Sequence, residues 1–137
     1  MNTIRFSKIN NKPYDKLSSK KFQKGNLFTT FRAYTVKKDI YYSNSLNKEF
    51  FVVYEDRTIG KAILVNKEYR WSSDLTLEEI KRDTFEEWNR TDFEELLYKF
   101  YGSHKVFGFW LTFKITKVGE FHKTLDVLGE KNVGGNL

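Results

Sequence analysis

The sequence predicts an α+β fold, a small β-barrel or curled mixed sheet carrying about three helices at its rim. Three observations predict it. Strand-like patterns recur at 27–34, 50–54, 58–66 and 106–115. Two helical patterns stand side by side between the third and fourth of these, at 76–83 and from 92 to 101. The 137 residues fit one domain and are long enough to bury a core without metals or crosslinks.

Taken in order, residues 2–6 read as a short first strand and Asn10–Pro13 as a turn. From Tyr14 to Lys24 the apolar Tyr14, Leu17 and Phe22 lie among Lys16, Lys20, Lys21 and Lys24, predicting a short basic helix stopped by Gly25. Two readings of it stay open, a basic arm delivering the next strand to a ligand and a solvated amphipathic surface.

The strand that follows sets Leu27, Thr29, Phe31 and Ala33 on one side, and Phe28, Thr30, Arg32 and Tyr34 on the other. The second side holds a hydroxyl and a guanidinium between two aromatic rings, a set suited to stacking a base and gripping a phosphate. Residues 37–39 then read as a turn, 40–42 as a short extended piece and 43–48 as a polar loop. The apolar run 50–54 reads as a buried strand. A turn at Glu55-Asp56-Arg57 leads to a hairpin partner at 58–66, which 69–71 extend. Gly60 within it marks a bulge or a close backbone approach.

The period then changes. Thr76 and Glu79 match a capping box, Leu75 and Ile80 a hydrophobic staple, and the helix should run to Asp83. Asp92 with Glu95 signals a second start, and Phe93, Leu96, Leu97 and Phe100 make one apolar face before Gly102. In 106–115, Phe107, Phe109, Leu111, Phe113 and Ile115 alternate toward a core. One domain over 1–117 is expected. A C-terminal extension at 118–137 follows, with Phe121, Leu125 and Leu128 in a packed turn or strand and the last residues frayed.

Aromatic residues are 18% of the chain, so rings should fill much of the core. With no cysteine, disulfides and thiolate metal sites are excluded. Apolar runs fall far short of a membrane span, and the first eight residues lack a signal-peptide apolar region, so a cytoplasmic protein is expected. The net charge of +6 is uneven. Residues 1–48 hold eleven Lys/Arg against Asp15 and Asp39, whereas 72–100 hold nine Asp/Glu against four Lys/Arg. A basic first half is an electrostatic footprint for a polyanion, or else a solvated surface.

There is no glycine-rich phosphate loop, no histidine pair at metal spacing (His104 and His122 are isolated) and no serine in a nucleophile elbow. No metal and no cofactor are expected. What remains is the 25–34 stretch with the first acidic helix, and here the order of elements resembles an ASCH domain of the PUA-like superfamily. Gly25…Thr30-Phe31-Arg32 resembles that family's Gly-x-Lys-x-x-Thr-x-Arg. The strands at 50–54 and 60–65 resemble its sheet pair. Asp74-Leu75-Thr76…Lys81-Arg82-Asp83-Thr84-Phe85 resembles Leu-Thr…Ala-x-x-Asp/Glu-Gly-Phe, and Phe93-Glu94-Glu95-Leu96-Leu97…Tyr101-Gly102 with the strand after it resembles the closing helix and strand. The resemblance covers roughly residues 14–117.

It implies a small PUA-like barrel with a cleft between the Thr-x-Arg strand and the acidic helix, and it implies RNA binding. The nearest branch, the N4-acetylcytidine amidohydrolases, uses a Lys, a Thr and an acidic residue. Its threonine falls on Thr30, its acidic residue on Asp83 and its lysine on Leu27. Leucine cannot hold a proton or steady an oxyanion. Lys24 and Lys61 are remote substitutes.

The expectation is therefore an RNA or other nucleic-acid binding module in which catalysis is lost. Arg32 contacts phosphate or a base edge, Phe28 and Tyr34 stack, and Lys16, Lys20, Lys21, Lys24 and Lys61 steer the backbone. Trp71, Trp88 and Trp110 are read as packing rather than stacking residues. One alternative is an amidohydrolase on a modified nucleoside, with Thr30 and Asp83 catalytic. The other is an adaptor whose acidic 74–95 region meets a basic protein partner.

Overall fold

The computed structural model describes residues 1–119. Five strands, β1 (Asn2–Phe6), β2 (Leu27–Ala33), β3 (Glu49–Tyr54), β4 (Arg57–Trp71) and β5 (Phe107–Val118), form one sheet in the order β1-β3-β4-β5-β2. β1 pairs in parallel with β3, and the other neighbours are antiparallel. The sheet curls into a half-barrel, so its edge strands β1 and β2 come together: the Phe6 and Phe28 rings meet at 5.9 Å, and Arg32 reaches the carbonyl of Arg5. The fold is α+β, with helices α1 (Val36–Asn44), α2 (Leu77–Asp83) and α3 (Arg90–Tyr101).

β5 carries the core because both of its faces are covered. Phe109, Leu111, Phe113 and Ile115 point into the half-barrel with Phe28, Phe50, Val52 and Leu64. On the opposite face Trp110 packs with Phe31, Leu75, Ile80, Phe93 and Leu97, which seats α2 and α3 on the outside. Each fully buried phenylalanine contributes on the order of 1.5–3 kcal/mol of hydrophobic stabilisation.

The local signals act as the chemistry requires. Thr76 and Glu79 form the reciprocal capping box of α2, and Leu75 and Ile80 are buried in one cluster. Gly102 closes α3 with a φ of 73°, in the left-handed region. The β3–β4 turn places Glu55 and Asp56 at φ of 48° and 62°, the twist that a two-residue hairpin loop needs. At Gly60 both readings hold: the β3–β4 register shifts beside it, and a Cβ there would lie 2.2 Å from the carbonyl of Lys117.

Three expectations are corrected. The segment 14–24 is not a helix. It holds a single 3₁₀ turn at Asp15–Leu17, ended by the extended backbone of Ser18, and then turns on to Gly25, with Tyr14, Leu17 and Phe22 all packing on the one core cluster. Residues 37–44 are helix and not turn, strand and loop, with Thr35 capping α1 by accepting from the Lys38 N–H; the expected loop is kept over 45–48. That helix escapes notice because Val36 and Ile40 point outward and only Tyr42 is buried. α3 starts two residues before Asp92, with Asn89 as its cap and Asp92 completing the capping box. The extension of the 58–66 strand through 69–71 holds, with 67 and 68 joining the two so that β4 is continuous to Trp71. The expected turn or strand through Phe121, Leu125 and Leu128 lies outside the described residues.

Candidate functional site at the seam of the half-barrel

The edge of β2 that faces β1 exposes the carbonyl of Thr29 and the N–H of Phe31. Buried backbone groups of this kind need partners, and an unpaired strand edge is otherwise open to other chains. Here an ion pair takes the place of a strand. Lys16 Nζ donates to Thr29 O at 2.6 Å and to Asp83 Oδ1, while Asp83 Oδ2 accepts the Phe31 N–H at 3.3 Å. The two side chains are only 5% and 7% exposed.

Both partners are delivered by local structure. Asp83 is the last residue of α2, whose capping box and buried Ile80 fix the helix against β2. Lys16 lies in the 3₁₀ turn, which is tied to the end of α2 through Asp15 N to Thr84 O at 3.2 Å and Glu86 N to Asp15 Oδ2 at 2.8 Å. Tyr14 adds a ring stacked on Phe85. The ammonium is 4.8 Å from the centroids of both Phe6 and Tyr14, so cation–π contact supplements its bonds.

Burial dominates the electrostatics. It pulls the Lys16 ammonium down to about 8, against the opposing pull of Asp83. Burial, and then the charge of Asp83, pushes the Tyr14 phenol up, so Tyr14 remains a hydrogen-bond donor at neutral pH. Arg32 spans the seam beside them. Its Nε donates to Thr30 Oγ1 at 3.1 Å, its Nη2 donates to Arg5 O at 2.7 Å, and its plane lies 4.8 Å from the Phe6 ring centroid. Two of its five N–H groups are used in these bonds.

A cleft of about 360 Å³ opens here between β1, β2 and α3. Thr30, Arg32, Tyr14 and Asp83 line its floor; Phe93, Phe100 and Tyr101 of α3 form a wall. The volume lies in the range of small-molecule sites, with a few convergent polar groups on an apolar and aromatic surface. Phe100, placed by the helical pattern on the core face, instead stands half-exposed at this wall.

The residues singled out in the sequence separate into two groups. Thr30, Arg32 and Asp83 converge at the cleft. Phe28 does not: at 2% exposure it sits in the core between Phe22 and Phe113, because the interior of the half-barrel claims that end of the strand face. Tyr34 is exposed and touches Phe107 and Phe109, beyond the cleft. Lys16 is no backbone-steering cation, being buried against Asp83. Lys20 and Lys24 are exposed, and Lys21 stands 3.5 Å from Glu86. Lys61 lies away from the cleft, 3.9 Å from Glu49 and over the Phe51 ring.

Leu27 is exposed at the outer start of β2; the amine beside Asp83 comes from Lys16 in a different segment. Sequence spacing cannot show this, since the contact closes 67 residues of chain. Tyr14, Phe100 and Tyr101 were not read as site residues either. The aromatic pair at the end of the α3 pattern was the signal available. Much of the acidic 74–95 stretch is spent internally, Glu79 on Arg70 and the Thr76 cap, Glu86 on Lys21, Glu87 on Lys12, and Asp92 on the Asn89 cap. Trp110 is core, Trp88 packs on Phe85, and Trp71 is exposed.

Among the described residues no group of His, Cys, Asp and Glu is arranged to hold a metal, and no helix is long and apolar enough to cross a membrane. Comparison with family models, with curated proteins and with solved structures finds no match to this chain.

Proposed function

We propose that this chain is an RNA-binding module of ASCH/PUA-like type, acting in the cytoplasm, whose seam cleft receives one base of the RNA. The observation that carries the reading is the cleft itself. It combines the volume of a small-ligand site, an aromatic wall for a base face, and the Arg32 guanidinium, Thr30 hydroxyl and Asp83 carboxylate on its floor. The exposed Lys20 and Lys24 and the basic first half supply long-range attraction for phosphates.

Fluorescence anisotropy with a labelled single-stranded RNA tests this. Affinity should fall as salt rises, and Lys20→Ala with Lys24→Ala should flatten the slope of log K against log salt by about one to one and a half. Arg32→Ala should weaken binding by at least about tenfold at fixed salt, the worth of one good side-chain contact to base or phosphate. Binding that is indifferent to both salt and Arg32 removes the reading.

One observation favours a second reading, an amidohydrolase acting on N4-acylated cytidine. The buried Lys16 amine, lowered to about 8, bonds Asp83 and the carbonyl of Thr29, the residue before Thr30 in β2. An amine of this kind is partly neutral near pH 8 and can take a proton from a nucleophilic hydroxyl. Incubation with N4-acetylcytidine should then release cytidine at a rate that rises through about pH 8. Thr30→Ala and Lys16→Met should each abolish it. No cytidine at any pH between 6 and 10 disposes of this reading.

A further inference from the structure

Beyond the cleft, the long β4–β5 ribbon carries aromatic side chains that the core does not use. Tyr69 and Trp71 of β4 stand opposite Phe109 and Phe107 of β5, so one face of the ribbon is a row of rings. Tyr34 joins it, its N–H bonded to the Phe107 carbonyl and its ring 5.6 Å from that of Phe107. The Tyr69 and Phe107 rings are within 5° of parallel at 6.3 Å, and Trp71 lies 5.3 Å from Phe107. Tyr69 and Trp71 are each 50% exposed.

The row is held in place and its charge is positive. Tyr69 donates its hydroxyl to Asp39 at 2.6 Å, and Lys67 donates to both Asp39 and the Tyr69 oxygen, which fixes the ring in an exposed position. Asp39 is thereby neutralised by Lys67. Arg32 and Lys38 remain close enough that Arg32, after burial, is a cause of the lowered Lys38 ammonium. With the neighbouring Asp39 carboxylate already engaged by Lys67 and Tyr69, Arg32 and Lys38 sharing one region favour an anionic occupant. Thr30, Arg32 and Tyr34 follow one another on one side of β2, so the row continues directly from the cleft floor.

We propose that Tyr34, Tyr69, Phe107 and Trp71 are a stacking platform for single-stranded RNA, holding bases next to the one in the cleft while Arg32 and Lys38 take the intervening phosphates. Rings accept any base face, so the platform selects a single strand and not a sequence, and it excludes a duplex whose bases are already stacked on one another. This proposal rests on the cleft reading and narrows its ligand to unpaired RNA.

The test uses the full chain, a mixed-sequence RNA decamer, the same decamer in duplex form, and a trinucleotide. The decamer should quench the fluorescence of Trp71, and the duplex should bind at least about tenfold more weakly. Trp71→Ala should weaken decamer binding about tenfold, the worth of one stacked base. Trinucleotide affinity should stay within about twofold. Trp71→Leu, which keeps apolar packing on Phe107, should behave like Trp71→Ala.

Decamer binding that both Trp71 variants leave intact while Arg32→Ala weakens it overturns the platform and leaves the cleft standing. Equal affinity for duplex and single strand does the same. A Trp71 that iodide fails to quench in the free protein is covered by another part of the chain, which also overturns the platform. Wild-type protein that binds none of the three RNAs overturns the cleft reading, and the platform with it.

Discussion

Asp83→Ala is expected to lower stability by about 3–5 kcal/mol, the cost of stranding one member of a buried ion pair. The loss has two parts. The Lys16 ammonium keeps its bond to the Thr29 carbonyl and its contacts with the Phe6 and Tyr14 rings but has no counter-charge. The Phe31 N–H on the edge of β2 also loses its acceptor. The pair does not itself make the fold strongly stable, because desolvating both charges offsets much of their attraction. Lys16→Met combined with Asp83→Leu should therefore unfold at a higher urea concentration than Asp83→Ala alone.

The pH dependence of the single variant distinguishes this account from simple loss of packing. In the wild type, burial already pulls Lys16 to about 8, below the ordinary 10.5. Between those values the unfolded chain binds more protons than the folded one, so Lys16 makes stability rise with pH across that window. Asp83 raises the amine toward its ordinary value; without it Lys16 falls further, and the window widens on its acid side. Asp83→Ala should thus regain part of its lost stability between pH 6 and 9, more than the wild type gains over the same range. Urea unfolding at the two pH values measures it. A loss under about 1 kcal/mol, or one independent of pH, would show that the pair holds nothing at the seam.

The elements legible in the sequence are those whose pattern and environment agree. The 106–115 alternation is visible because each face of β5 meets a different apolar layer, and α2 because Thr76 and Glu79 act within one turn. α1 was hidden by the outward Val36 and Ile40, since periodicity is read on the assumption that apolar residues face in. The site was legible in part for a similar reason. Thr30 and Arg32 belong to a strand whose alternation can be counted, and Asp83 to a helix whose end can be located. Lys16 cannot be placed that way: a lysine among lysines looks solvated until the fold brings Asp83 to it across 67 residues. Phe28 fails in the opposite sense. It shares a strand face with Thr30 and Arg32, but that face enters the core at one end and leaves it at the other, which alternation alone does not reveal.

Gly108→Val carries the second large effect and links the fold to the site. Gly108 sits near the start of β5, between Ala33 on β2 and Arg70 on β4. A Cβ there would lie 2.2 Å from the carbonyl of Arg32 and 2.8 Å from Cζ of Phe31. The first obstacle is backbone, so rotamer changes cannot relieve it; β2 must move away from β5. Overpacking of a filled site costs roughly 1–3 kcal/mol, and a backbone clash with a β-branched side chain belongs at or above the upper end, about 3 kcal/mol. Gly102→Ala is the control. Gly102 has the positive φ, of 73°, yet a Cβ there meets nothing within 4 Å, so its cost is the left-handed backbone alone, about 1 kcal/mol. The ordering Gly108→Val well above Gly102→Ala is expected in thermal unfolding, although only Gly102 adopts a conformation that favours glycine. Because the displaced strand carries Thr30 and Arg32, Gly108→Val should also weaken RNA binding at temperatures where the variant is folded, whereas Gly102→Ala should not. Equal losses from the two variants would mean that β2 yields freely, and a strand that yields freely could not hold the cleft floor in register with the pair at its edge.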